Sequence, residues 1–97
     1  MEILKFEFTA GSAPSKQVLV GCVGSGDLEI LMEPNQSGKL SIAVTTSVDG
    51  SAQRWKNVFE RMFAEQTPPA VHIDIHDFGA TPGVVRLRLE QAFEEVN

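Results

Sequence analysis

The spacing of the apolar residues changes near the middle of this chain, and the change limits which folds are open to it. Up to residue 46 apolar and polar side chains alternate, most clearly in residues 3–8, where Leu4, Phe6 and Phe8 share one face. A period of two is typical of strands with one buried face. After Ser51 the apolar residues take the spacing of an amphipathic helix. We therefore expect helices packed against a half-buried sheet.

Four strands are predicted before the change of period. In chain order they comprise residues 3–8, residues 17–22, the alternating set Leu28, Ile30 and Met32, and the alternating set Leu40, Ile42, Val44 and Thr46. Gly24 and Gly26 interrupt the chain between the second and third strands. Because a glycine-rich turn between two strand patterns is typical of a hairpin, we expect these two strands to pair antiparallel.

Two helices and a fifth strand are predicted after residue 50. Ser51 is the expected N-cap of the first helix, and Thr67-Pro68-Pro69 stops it. Thr81 followed by Pro82 is a typical start for the second helix. The expected inward residues are Trp55, Val58, Phe59, Met62 and Phe63 in the first helix, Val71, Ile73 and Ile75 in the strand, and Val85, Leu89, Ala92, Phe93 and Val96 in the second helix.

This order of elements predicts an α+β fold with two layers. We expect a sandwich of about five strands, in an antiparallel or mixed sheet, with both helices on one face. A length of 97 residues fits one domain, residues 1–97, with one modest core.

Composition excludes several classes of partner and compartment. The net charge of -5 argues against nucleic acid and against an anionic membrane surface, and no apolar run is long enough for membrane insertion. The N-terminal residues lack the basic and apolar regions of a signal peptide. The single cysteine, Cys22, cannot form an internal disulfide, so we expect a cytoplasmic protein with Cys22 as a small core residue.

The segment VGSGDLE, residues 23–29, contains the strongest functional candidate. Ser25 stands between Gly24 and Gly26 and is followed by Asp27. Because neither glycine has a Cβ, the backbone can turn sharply and leave the hydroxyl of Ser25 unshielded. A hydroxyl presented in this way suits a group that another protein modifies. Taken alone, however, Gly-Ser-Gly is also an ordinary hairpin turn.

Other combinations of residues suggest chemistry less specifically. His72, Asp74 and His76 alternate on one face of the fifth strand and could supply part of a zinc or iron site, although the outer face of any sheet gives the same pattern. A Ser25-His76-Asp77 triad lacks the G-x-S-x-G elbow, since Val23 replaces its first glycine. Gly21, Gly24 and Gly26 could suggest a phosphate-binding loop, but their spacing fits neither a dinucleotide-binding motif nor a P-loop. Surface positions are the simpler interpretation for both histidines.

Three segments together resemble one known family. They are GCVGSGDLEIL (residues 21–31), TTSVDGSAQRW (residues 45–55) and IHDFGATPGVVRLRLEQA (residues 75–92). They are similar to the acyl carrier protein, or delta subunit, of malonate decarboxylase, and the similarity extends over essentially the whole chain. The chain does not resemble the helical carriers of fatty acid synthesis, in which the modified serine follows an aspartate at the start of a helix.

The resemblance implies a carrier without catalytic groups of its own. In that family the serine of VGSGDLE, here Ser25, binds 2'-(5''-phosphoribosyl)-3'-dephospho-coenzyme A through a phosphodiester, with Gly24 and Gly26 as the flanking turn. The group would carry acetyl and malonyl thioesters while malonate is decarboxylated to acetate and carbon dioxide. The implied partners are the acyl transferase and decarboxylase subunits, a prosthetic-group transferase and a malonyl transferase.

Three alternatives stay open at this point. The chain could be the acyl carrier of a citrate lyase, which uses the same prosthetic group. It could be a scaffold module without a covalent group, in which Ser25 occupies an ordinary turn. It could be a small metal-dependent enzyme built on His72, Asp74 and His76.

Overall fold

The computed structural model describes residues 1–21 and 24–96. Within them the chain forms five strands and two helices: β1 (Glu2–Thr9), β2 (Val18–Gly21), β3 (Leu28–Pro34), β4 (Lys39–Thr46), α1 (Ala52–Met62), β5 (Val71–Asp77) and α2 (Pro82–Val96). Each element lies where the spacing of apolar residues predicts it. Cys22, the expected core residue at the end of the second strand, lies outside the described residues.

The strands form one mixed sheet in the order β1-β4-β5-β3-β2. β2 and β3 pair antiparallel, as the glycine-rich segment between them predicts. The pairs β1–β4 and β3–β5 are also antiparallel, whereas β4 and β5 in the centre are parallel. Because a tight turn cannot join parallel strands, the chain crosses from β4 to β5 through α1. Of the two expected sheet types, the mixed one is correct.

Both helices pack against the same face of the sheet. The inward residues of β3, β4 and β5 and the buried residues of both helices belong to one continuous hydrophobic cluster. Phe59 of α1, Leu89 of α2 and Ile73 of β5 are fully buried in it. The expected arrangement of two layers, with both helices on one side, is therefore confirmed.

Phe59 is the centre of an aromatic group that joins α1 to β1. Its ring centroid lies 5.2 Å from that of Phe6 and 6.4 Å from that of Phe8, both in edge-to-face geometry. Along the helix, Phe59 also contacts Trp55 at 5.9 Å and Phe63 at 6.4 Å. Phe63 continues the group to Phe93 of α2 at 5.7 Å. These contacts join the edge strand β1 and both helices to one aromatic group, whose central side chain, Phe59, is 0% exposed.

The two helices begin in different ways. Thr81 caps α2 as expected, since its Oγ1 accepts the amide N–H of Val84 at 3.3 Å. Ser51 occupies the N-cap position of α1, but its side chain makes no capping hydrogen bond and its hydroxyl instead donates to the Val48 carbonyl at 3.0 Å. Ser51 therefore lies at the predicted N-cap position, but the capping hydrogen bond expected of its side chain does not form. Neither helix of the described chain is long and apolar enough to cross a membrane.

Candidate functional site

Ser25 lies at the corner of a tight turn formed by residues 24–27. The Asp27 N–H donates to the Gly24 carbonyl at 3.2 Å, which closes the four-residue turn. Ser25 and Gly26 are its two central residues, and Gly26 has a φ of 79°. A positive φ at the second central residue is the requirement of a type II turn and favours glycine. Ser25 is exposed at the first central position.

The two glycines contribute differently to this turn. Gly26 needs a backbone conformation that L residues rarely adopt, so its lack of a Cβ is conformationally necessary. A Cβ built on Gly24 or on Gly26 would meet no atom of the described residues within 4 Å. Gly26 therefore supplies the backbone conformation of the turn, and neither glycine places a side chain beside Ser25.

Backbone hydrogen bonds attach the turn to the residue after β5. The Gly26 N–H donates to the Phe78 carbonyl at 2.8 Å, and the Phe78 N–H donates to the Asp27 carbonyl at 2.9 Å. Gly26 and Asp27 thus face the single residue Phe78, as in a β-bulge whose first residue is a glycine of positive φ, directly beyond the pairing of Leu28 with Asp77. The turn is consequently an extension of the sheet and not a free loop.

An ion pair attaches the same turn to α2. The Arg88 Nη2 donates to Asp27 Oδ2 at 2.8 Å and its Nε donates to Asp27 Oδ1 at 3.2 Å. Asp27 Oδ1 also accepts the Leu28 N–H at 2.7 Å. The two side chains are only 26% and 21% exposed. Sequence reasoning missed this contact, because the partners are separated by 61 positions and no local spacing connects them.

Gly21, at the end of β2, is a second position that needs a glycine for its backbone conformation and for its close approach to a neighbouring strand. Its φ is 95°, and a Cβ on it would overlap the backbone carbonyl oxygen of Leu28 in the paired strand β3. Sequence reasoning treated Gly21 only as part of a possible phosphate-binding motif. Its structural role is the close approach of the two strands that lead into and out of the segment containing Ser25.

We expect Gly21→Ala to destabilise the domain by about 3 kcal/mol, from the strain of a positive φ and the displacement of a backbone neighbour. Gly24→Ala is the matched control, because the same methyl group there meets no atom of the described residues within 4 Å. Urea denaturation of both variants measures the difference. Equal unfolding free energies in the two variants would contradict the assigned geometry of Gly21.

The other candidate residues do not assemble into a catalytic centre with Ser25. Asp77 is buried, accepting the Thr46 hydroxyl at 2.7 Å and the N–H groups of Gly79 and Ala80 at 3.2 and 2.9 Å. His76 is exposed on the opposite face of β5, with Nδ1 3.6 Å from Glu29 Oε1. Neighbouring strand residues point to opposite faces, so His76 and Asp77 do not form a triad with Ser25, in line with the missing G-x-S-x-G elbow.

The three residues of the possible metal site do not converge on one point. His72 Nδ1 lies 2.8 Å from Ser41 Oγ, and its Nε2 lies 3.4 Å from Asp74 Oδ2. His76 instead faces Glu29. Among the described residues no group of three histidine, cysteine or carboxylate side chains is close enough to hold a metal ion. The alternating pattern of β5 therefore reflects the outer face of the sheet.

A groove of about 470 Å³ lies between the helices, away from the turn. Its apolar side chains include Met62, Phe63 and Phe93, and Pro68 and Pro69 also line it. Residues 24–27 do not line the groove. Ser25 is thus presented on a projecting turn, an arrangement suited to reaction with another protein.

Comparison with known proteins identifies the class to which this domain belongs. A family model described as malonate decarboxylase delta subunit (MdcD), an acyl carrier protein, matches residues 15–96. The chain therefore belongs to the malonate decarboxylase delta subunit family of acyl carrier proteins.

Individual relatives agree with this family over nearly the whole chain. The chain is 69% identical over 96 residues to the malonate decarboxylase acyl carrier protein of Pseudomonas fluorescens, covering 99% of this chain and 97% of that protein. It is 66% identical to the protein of the same description from Azotobacter vinelandii, covering 100% and 98%. Among solved structures, it matches a chain in the crystal structure of a Pseudomonas malonate decarboxylase hetero-tetramer in complex with malonate. The TM-score is 0.97 and the identity 70%, over 100% of both chains.

Proposed function

We propose that residues 1–97 form the acyl carrier subunit of a malonate decarboxylase, with Ser25 as the attachment point of its prosthetic group. The single observation that carries the assignment of Ser25 is its exposed position on a glycine-flanked turn. The names of relatives about 70% identical to this chain support malonate decarboxylase over citrate lyase as the complex. The hetero-tetramer that contains a similar chain supports other decarboxylase subunits as partners.

The surroundings of Ser25 fit a large covalent group. A phosphodiester needs an accessible hydroxyl oxygen; Ser25 is exposed, and a Cβ on either flanking glycine would meet no atom of the described residues within 4 Å. The family resemblance favours phosphoribosyl-dephospho-coenzyme A as the group. When bound, this group supplies a thiol that carries acetyl and malonyl as thioesters.

The residues of this chain contribute presentation and support. Ser25 provides the oxygen that becomes one ester oxygen of the phosphodiester. Gly26 supplies the backbone conformation that turns this hydroxyl outward, and the hydrogen bonds to Phe78 fix the turn to the sheet. A flexible arm attached at this point would keep an acyl group at high effective concentration near successive active sites. The groups that transfer the acyl chain and remove carbon dioxide then belong to partner subunits in the cytoplasm.

The decisive experiment is intact-protein mass spectrometry after co-production with the cognate prosthetic-group transferase. We expect the mass to rise by that of one phosphoribosyl-dephospho-coenzyme A group, and peptide fragmentation to locate it on Ser25. An unchanged mass would favour the scaffold alternative, in which the turn has no covalent role. Attachment of a different group would reject the assigned prosthetic group while keeping the carrier function.

We expect the isolated chain to show no decarboxylase or hydrolase activity towards malonate or malonyl-coenzyme A. Among the described residues, the acids and histidines near Ser25 are engaged with other groups and form no organised base or metal site. Carbon dioxide release by the purified chain is the measurement, with the reconstituted complex as positive control. Turnover by the purified chain that resists chelator and exceeds that of a Ser25→Ala control would contradict a purely non-catalytic role.

A further inference from the structure

We infer that Arg88 is a positioning residue for the modification of Ser25. Through its two hydrogen bonds to Asp27, Arg88 holds turn 24–27 in the conformation that presents the serine hydroxyl to the transferase. This inference rests on the proposed function and adds to it a residue on a different element, α2, far from the VGSGDLE segment in sequence.

The geometry of the ion pair is suited to fixing a conformation. Both carboxylate oxygens of Asp27 are engaged by one guanidinium group, at 2.8 and 3.2 Å. A bidentate pair defines the orientation of the carboxylate as well as its distance. The side chain of Arg88 is also fixed to its own helix, because its Nη1 donates to Gln91 Oε1, one turn further along α2, at 3.2 Å. The pair therefore transmits the rigidity of the helix to the turn.

The turn needs such support because its own sequence allows several backbone conformations. Two of its four residues are glycines, which have access to more backbone conformations than any other residue. Asp27 is the last residue of the turn, and its side chain also accepts the N–H of Leu28, the first residue of β3. Fixing the Asp27 side chain thus fixes the junction between the turn and the strand.

Loss of the ion pair should weaken binding of the carrier to the transferase more than it slows the modification of Ser25. If the turn samples several conformations, only the fraction that presents Ser25 can bind the transferase, and the apparent affinity falls by that fraction. Once the turn is bound, the reacting hydroxyl is the same as in the wild-type chain. We therefore expect Arg88→Met to raise the KM for the carrier at least about fivefold and to leave kcat within about twofold.

Arg86→Met is a matched control on the same helix. Arg86 also forms an ion pair, with its Nε 2.9 Å from Glu90 Oε1, but that pair is exposed and stays within α2. A general loss of positive charge or helix stability would affect both variants equally. We expect Arg86→Met to leave KM and kcat of the modification unchanged.

Arg88→Lys separates charge from geometry. Lysine keeps the positive charge but cannot form the planar two-point contact of a guanidinium group. We expect a KM between those of the wild-type chain and Arg88→Met.

The experiment combines transferase kinetics on the full-length chain with amide hydrogen exchange. Arg88→Met should raise KM selectively. It should also accelerate exchange of the Gly26 and Phe78 N–H groups, whose hydrogen bonds join the turn to the residue after β5, while amides of β4 and β5 stay protected. A fall in kcat at unchanged KM, or equal effects in Arg86→Met, would overturn the inference. If Arg88→Met loses the far-ultraviolet circular dichroism of the fold, Asp27→Asn and Arg88→Lys replace it. Unchanged KM in both replacements would then overturn the inference.

Failure of the proposed function would give a different result. In that case the wild-type chain itself would not be modified at Ser25. Hydrogen exchange would still decide the role of Arg88 in the turn: faster exchange at Gly26 and Phe78 in the variant supports it, and unchanged exchange overturns it.

Discussion

Replacing Ser25 with alanine is expected to abolish both attachment of the prosthetic group and malonate decarboxylation by the reconstituted complex. Alanine lacks the only side-chain oxygen through which a phosphodiester could form at this position. The fold should be unaffected, because an exposed small side chain contributes within about 0.5 kcal/mol to stability. Intact mass, thermal unfolding and carbon dioxide release from the complex measure the three quantities separately.

Ser37→Ala is the matched control for this variant. Ser37 is also an exposed turn serine and also precedes a glycine of positive φ, Gly38 at 75°. It lies between β3 and β4, before the start of the latter at Lys39. We expect full modification and full activity. Modification that persists in Ser25→Ala, or that disappears in Ser37→Ala, would reject Ser25 as the attachment point.

Phe59→Ala is expected to give the largest loss of stability, about 3–5 kcal/mol. Phe59 is fully buried and contacts aromatic rings from β1 and from α1 itself, so its removal leaves a cavity between the layers. A loss of this size corresponds to a fall in Tm of more than about 12 °C for a domain of this length. Denaturant and thermal unfolding measure both values.

Leu87→Ala provides the comparison for the loss of an apolar side chain from the surface. Leu87 lies on α2 and is 53% exposed, so its truncation should cost less than about 1 kcal/mol. Similar losses in the two variants would mean that Phe59 does not occupy the centre of the core. Modification of Ser25 should decline in Phe59→Ala only to the extent that the domain unfolds.

The sequence predicts the elements of this fold well, because each has a local signal. Alternation identifies β1, the helical stripe identifies α1, and Thr81-Pro82 marks the start of α2. The parallel pairing of β4 with β5 has no such signal in the spacing of apolar residues, since it depends on which strands become neighbours after the crossover through α1. Hydrophobic spacing alone therefore left the choice between an antiparallel and a mixed sheet open.

The candidate site was predictable in part for the same reason. Ser25 and its glycines are adjacent in sequence and form a local turn, as expected. The contributions of Phe78 and Arg88 arise only from tertiary packing. Ser51 illustrates the converse case, because a residue type suited to capping made a different hydrogen bond, to Val48, once the preceding loop was in place.

The central position of β5 also sets an order for assembly of the domain. The pairs β1–β4 and β2–β3 can each form from earlier parts of the chain, but only β5 joins them into one sheet. During synthesis on the ribosome, residues 71–77 must emerge before the two strand pairs can join into one sheet. Until then, neither pair can bury its apolar face in the complete core. Phe78 and Arg88 follow later in the chain, and only then do they form their contacts with turn 24–27. The turn that presents Ser25 is consequently organised only when nearly the whole chain has folded, so under the proposed function a modifying enzyme recognises finished domains.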